Sequence, residues 1–208
     1  MDTYFGGIFL IDPRATDSRK YIYSPYDNNV YPHLNFLFFD KKNKYRSLYK
    51  ADKDIVFKWL EEKYTNGEFG FQGIFNDLNA AQNFKNLFIS KPENIVTISI
   101  HLPVTEFDEL ANWTEQELEV QNPKRGNNIY ENLKKKISNN LNGQALGFDL
   151  LETYYGVVYN MLYETDENLE KIMNVATFNE YGLISTYEDA CKAKQFSEDR
   201  NIWLIKRH

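Results

Sequence analysis

Short apolar runs and apolar stripes of helical spacing follow one another along this chain. Tyr4–Ile11 is an apolar run closed by Asp12-Pro13, the pattern of a buried strand. Tyr21–Tyr23 predicts a brief strand, and Leu34–Phe39 (LNFLFF) a second core strand. With Asp52 or Asp54 as cap, Ile55, Val56, Trp59, Leu60 and Tyr64 fall on one helical stripe, which Asn66-Gly67 ends. Phe69–Phe75 predicts a strand. Asn76 or Asp77 then caps a helix carrying Leu78, Ala81, Phe84, Leu87 and Phe88 at helical spacing.

The clearest strand signal is Ile95–Leu102, where Val96, Ile98, Ile100 and Leu102 alternate with Thr97, Ser99 and His101. Pro103 ends it. Residues 106–119 predict a loop with one or two helical turns around Trp113, and Gln121–Asn128 (QNPKRGNN) reads as a linker. Ile129, Leu133, Ile137 and Leu141 recur every four residues, an amphipathic helix stopped by Asn142-Gly143. Leu146–Leu151 predicts a strand, and the aromatic and β-branched content of Tyr154–Tyr163 favours another. Leu169, Ile172, Met173 and Ala176 suggest a short helix. Ser185-x-x-Glu188 has the capping-box pattern of a further one, and Ile202–Ile205 is a closing strand. This interleaving predicts an α+β fold with a central mixed β-sheet and flanking helices. The reading is a single globular domain over residues 1–208, with 121–128 as the place for any boundary between two α/β halves sharing an interface.

Composition narrows the chemistry. Among 208 residues there are 15 Tyr and 15 Phe, enough ring surface to build a core although the hydrophobic fraction is 42%. One cysteine and three histidines leave few ways to assemble a metal site or a nucleophile–imidazole pair, so no metal and no cofactor is expected. A single cysteine makes no internal disulfide, which fits the cytoplasm. Cys191, between Ala190 and Ala193 at a helical position, reads as a buried, inert thiol. The Tyr4–Ile11 run lacks a preceding basic segment and is too short for a signal peptide or a membrane span. Neither GxxxxGK[ST] nor a GxGxxG between strand and helix occurs, so no nucleotide site is assigned. His101 reads as a solvent-facing residue on the polar side of its strand, the alternative being a general base oriented by Glu106 or Asp108. His33 reads as a turn residue and His208 as an unanchored terminal one.

Charge is the most asymmetric property. The net charge of −6 disfavours direct nucleic-acid binding. Residues 106–119 (EFDELANWTEQELE) carry Glu106, Asp108, Glu109, Glu115, Glu117 and Glu119 with no basic residue, and Phe107, Leu110, Trp113 and Leu118 lie among them. Lys124, Arg125, Lys134, Lys135 and Lys136 follow as a basic counterpart. The commoner reading is two solvated faces. The functional one is a docking surface whose charge steers a basic protein while Trp113 anchors it. Glu164, Asp166, Glu167 and Glu170 form a second acidic cluster.

The stretches LGFDLLETYYGVVYNML and NEYGLISTYEDACKAKQF, the closing NIWLIK, the opening YFGGIFL and the segment LYKADKDIVFKWLEEKY resemble bacterial cytoplasmic proteins of the immunity type found in polymorphic toxin systems. The resemblance implies a small, acidic, non-enzymatic protein that binds a cognate protein toxin and blocks its active site. If that toxin is a nuclease, its basic surface would meet the acidic one. Two other readings stay open: an enzyme working on a small or saccharide-like substrate through tyrosines and carboxylates such as Asp149 and Glu152, and an adaptor domain that forms oligomers through exposed aromatics.

Overall fold

In the computed structural model the described residues are 1–12, 49–70, 74–108, 110, 129–135, 141–154, 157–159, 166–197 and 199–208. Strands β1 (Thr3–Ile11), β2 (Val96–Pro103), β3 (Gln144–Tyr154), β4 (Val157–Tyr159) and β5 (Asn201–Arg207) form a sheet in the order β1-β2-β5-β3-β4. The helices are α1 (Lys53–Thr65), α2 (Leu78–Phe88), α3 (104–108 and 110), α4 (Ile129–Lys134), α5 (Asp166–Val175) and α6 (Tyr187–Lys194). The architecture is α+β. Every pairing between these strands is antiparallel, where a mixed sheet was expected. The predicted linker 121–128 lies outside the described residues, as do Tyr21–Tyr23 and Leu34–Phe39. Strands from both sides of that linker join one sheet, because β5 pairs with β2 on one edge and β3 on the other.

Two bulges shape the sheet. In β1 the register moves from Phe5↔His101 to Gly7↔Ile100, so Gly6 is the extra residue. Its freed carbonyl accepts a hydrogen bond from Asn132 Nδ2 at 2.8 Å, and the same nitrogen donates to Asn76 Oδ1 at 2.6 Å. The bulge places Phe5, Ile8 and Leu10 on one face and Phe9 and Ile11 on the other, and each set enters a different buried cluster. In β3 the register moves between Ala145 and Gly147, and Gly147 has φ +151°, a conformation that L side chains rarely adopt.

Helices α1 and α2 cover the first face at β1 and β2, with Val56, Leu60, Phe84 and Phe88 buried against Phe5, Ile8 and Leu10. Further along the same face α5 and α6 cover β3 and β5 through Ile172, Ala190 and Ala193 on Phe148, Leu150 and Ile202. The opposite face holds Ile98, Ile100, Leu151, Trp203 and Ile205 under Leu110 of α3 and Ile129 and Leu133 of α4. A fully buried side chain of this size contributes about 1.5–3 kcal/mol, so the three clusters supply the main favourable term.

Several helix-face expectations change. Ile55 is 57% exposed and Met173 58% exposed, because their neighbours Val56 and Ile172 take the inward position. Leu87 is also exposed, the inward face of α2 being Ala80, Ala81, Phe84 and Phe88. Cys191 is exposed rather than buried. Phe69 and Phe75 make isolated bridges to each other, and Phe75 bridges to Ile8, so the described ends of the expected 69–75 strand form a bridge and not a strand. Asp77, one of the two expected caps, accepts from Ala80 N at 2.7 Å.

The start of α6 is capped one residue later than the Ser185-x-x-Glu188 pattern suggested. Thr186 is the N-cap, and its Oγ1 accepts from Asp189 N at 3.1 Å. Asp189 Oδ2 in turn accepts from Thr177 N at 3.2 Å, tying the helix to the end of α5. The Thr177 N–H and then Lys192 hold the Asp189 carboxyl below its usual range. Thr186→Ala is expected to destabilise the fold by about 1 kcal/mol, whereas Ser185→Ala leaves it unchanged; urea unfolding midpoints of the two variants separate the assignments.

Candidate functional site

The polar residues of β2 do not face solvent. Register places Thr97 opposite Leu10, Ser99 opposite Ile8 and His101 opposite Phe5, all on the face that α1 and α2 cover. On the other side Ser99 pairs with Lys206 and His101 with Leu204 of β5. Thr97, Ser99 and His101 are therefore a buried polar strip between the α1–α2 cluster and the α5–α6 cluster. His101 was read as solvent-facing because its strand alternates; the second helical layer makes both faces of β2 interior.

Buried polar groups need partners. Gln82 of α2 donates from Nε2 to Thr97 Oγ1 at 3.2 Å. Ser99 Oγ lies 2.7 Å from His101 Nε2 and 2.7 Å from His208 Nε2. His208, read from sequence as unanchored, is held by this bond and by its own N–H donating to Thr97 O at 3.0 Å. His101 Nδ1 and His208 Nδ1 are both buried without a hydrogen-bond partner. The single Ser99 hydroxyl donates to one ring nitrogen and accepts from the other. Burial, followed by the charges of Lys206 and His208, pushes His101 down to about 3. Burial and Lys206 also lower His208, against the main chain of Asn142, which favours its protonated form. Gly143 makes room for this ring, since a Cβ there would lie 2.8 Å from His208 Cε1 and 2.9 Å from Arg207 O.

A hydroxyl between two imidazoles is the hydrogen-bond pattern of an activated nucleophile. Ser99 and His101 are nevertheless both fully enclosed, and no reagent reaches Oγ in this conformation. The chemistry open to the strip as folded is proton sharing among its own members. Sequence reading missed the Ser99–His208 contact because it depends on the β2–β5 pairing. The visible signal was Ser99-x-His101, two polar side chains on one face of one strand.

The acidic segment begins inside the protein. Glu106 is 7% exposed, and its Oε2 accepts from Lys194 Nζ at 2.7 Å and from Ile202 N at 3.3 Å. Thr105 Oγ1 and Tyr187 OH are 2.8 Å apart, so α3 is seated on α6 at two points. Glu106 thus serves as an anchor for its segment and not as part of an exposed acidic face, since the apolar turn around it drives it inward with its charge paired. Asp108 is exposed. Glu109, Trp113, Glu115, Glu117 and Glu119 lie outside the described residues, and so does His33. In the second cluster, Glu167 and Glu170 are exposed on α5, with Glu167 Oε1 accepting from Lys171 Nζ at 2.6 Å. Glu164 lies outside the described residues.

Asp149 and Glu152 do not converge. Asp149 pairs with Trp203 and Glu152 with Tyr159, and a three-residue separation on one strand sends the two carboxyl groups to opposite faces. Among the described residues no group of three or more His, Cys, Asp and Glu side chains is placed to hold a metal ion, and no helix is long and apolar enough to cross a membrane. No protein family, curated protein or solved structure matches the chain.

Proposed function

We propose that this is a cytoplasmic, immunity-type protein that neutralises a cognate toxin by stoichiometric binding through an acidic surface. The observation that carries the reading is the seating of α3 on α6. Glu106 and Thr105 fix the start of the acidic segment to Lys194 and Tyr187, and α6 packs on α5, whose outer side presents Glu167, Glu170 and the exposed Met173. The described start of the first acidic run and helix α5 of the second therefore both adjoin α6. In this reading Asp108, Glu109, Glu115, Glu117 and Glu119 supply steering charge together with Glu167 and Glu170, and Trp113 is the apolar anchor. A toxin with a basic, nuclease-like groove is the partner whose charge this surface complements.

The test uses the product of the gene immediately upstream, where a toxin gene would stand. A one-to-one complex whose association slows with salt is expected. Glu115→Lys combined with Glu117→Lys should slow association at low salt by about tenfold or more, and Glu167→Lys with Glu170→Lys should slow it further. Unchanged association in the first variant removes residues 106–119 from the interface. Absence of any complex with a folded neighbour overturns the inhibitor reading.

A further inference from the structure

The sequence holds two Asn-Gly pairs, Asn66-Gly67 and Asn142-Gly143, and both read as helix stops. Such a pair is prone to lose ammonia, because glycine has no side chain to shield its nitrogen from the preceding amide. The fold decides whether that nitrogen is free. Asn66 is the C-cap of α1 and donates its N–H to Glu62 O at 3.0 Å, while Gly67 N donates to Tyr64 O at 3.1 Å. The Asn66 amide reaches Glu68 Oε1 at 3.4 Å, and Gly67 O accepts from Asn76 Nδ2 at 3.0 Å. The first pair is thus tied at both residues.

The second pair is not. Residues 141–143 belong to no helix or strand, and Asn142 is exposed. Register explains why Gly143 N is left over. His208 N donates to Thr97 O, so the main-chain groups of Arg207 turn away from β2 and toward its partner Gln144 on β3. The residue next to Gln144 then points its N–H the other way, outward from β5. On that side β4 pairs only with 152–154. Among the described residues no main-chain carbonyl accepts from Gly143 N. The same residue rests against the relay, since a Cβ on it would lie 2.8 Å from Cε1 and 3.1 Å from Nδ1 of His208. The main chain of Asn142 faces that ring as well.

We propose that Asn142-Gly143 is a site of spontaneous deamidation, and that the carboxylate it creates acts on the Ser99 relay through His208. Gly143 N loses its proton and attacks Cγ of Asn142. A C–N bond forms, the Cγ–Nδ2 bond breaks, and ammonia departs to leave a succinimide. Water then opens the ring. Attack at Cγ restores the normal chain with aspartate, whereas attack at the former main-chain carbonyl carbon routes the chain through Cγ as isoaspartate. One water is taken up and one ammonia released, with no oxidant or reductant. Either product adds a negative charge at the start of β3. In isoaspartate it sits on the former main-chain carbonyl of Asn142, and a carboxylate there favours the protonated form of the adjacent imidazole. A protonated His208 donates from Nε2, which turns the Ser99 hydroxyl toward His101. The inference does not rest on the toxin-binding reading.

The full chain is incubated in mildly alkaline buffer, folded and separately in urea, and peptide mass mapping in isotope-labelled water follows the acid formed at each asparagine. In the folded protein Asn142 is expected to convert at least about tenfold faster than Asn66, whose helix end must first open. In urea the two rates should converge, since only the fold distinguishes the pairs. Equal rates in the folded protein, faster conversion at Asn66, or no conversion at Asn142 while the urea sample reacts overturns the site. The converted fraction is then separated by ion exchange and its His208 ring titrated by NMR. An upward shift relative to the unconverted protein is expected, and an unchanged titration overturns the link to the relay.

Discussion

Lowering the pH from 6.5 to 4 is expected to destabilise the fold by about 3 kcal/mol through His101 alone. In the folded chain the ring is pushed down to about 3 from an ordinary 6.5, first by burial and then by Lys206 and His208. Above 6.5 the imidazole is neutral in both states and contributes no pH dependence. Below 6.5 the unfolded chain takes up a proton that the folded chain refuses, so stability falls by about 1.4 kcal/mol per pH unit until about pH 3. His208 shifts in the same direction and adds to the slope. The depressed carboxyls of Asp189 and Glu167 lose their stabilising bonds as pH falls through the carboxylate range, and they contribute near pH 4 and below. The measurement is the urea midpoint of unfolding at pH 7, 6, 5 and 4 in the unaltered protein and in His101→Gln. The amide of glutamine offers Ser99 a hydrogen-bonding group without a titrating ring, so the slope between pH 6.5 and 4.5 should flatten. Parallel slopes in the two proteins would remove the buried imidazole as the cause.

The second large effect lies at the bulge in β1. A Cβ on Gly6 would sit 2.6 Å from Cζ3 of Trp203 and 3.1 Å from Cγ1 of Ile100. Trp203 is 0% exposed and is the largest of the fully buried side chains, so its ring has nowhere to retreat. Gly6→Ala is therefore expected to cost about 2–3 kcal/mol by overpacking. Trp203→Phe shortens the ring on the crowded side at the expense of a cavity of its own. In the double variant the alanine methyl occupies part of that space, so the combined loss should be smaller than the sum by about 1 kcal/mol or more. A strictly additive pair, measured by denaturant unfolding of the four proteins, would show that the contact is not the constraint at residue 6.

Much of this fold was legible where one local rule decides. The period-two pattern of 95–102 located β2, the Asp77 cap located α2, and Asn66-Gly67 ended α1 where Gly67 takes φ 73°. Pattern reading failed where a distant partner decides. Alternation marked Thr97, Ser99 and His101 as a polar face, but whether such a face meets water or a second helical layer depends on where α1 and α2 dock. Ile55, Leu87 and Met173 satisfied helical spacing yet lie outside the stripes, since the adjacent Val56, Phe88 and Ile172 took the inward place. The acidic segment was read correctly as charged, and its first member still proved to be an internal anchor, because Lys194 is 88 residues away in sequence.

The place of β5 in the sheet also governs how the chain acquires its structure during synthesis. Residues 3–11 and 96–103 can pair with each other early, and 144–154 follow, but the strand that joins these pieces is made after all of them. Until it arrives, β2 and β3 each present an unpaired, largely apolar edge, the kind of surface that recruits strands from other molecules. Ser99 and His101 meanwhile lack the partner that His208 provides. The nascent protein therefore passes through an aggregation-prone interval of about one hundred residues, and slow, non-local closure by the last strand is the event that ends it.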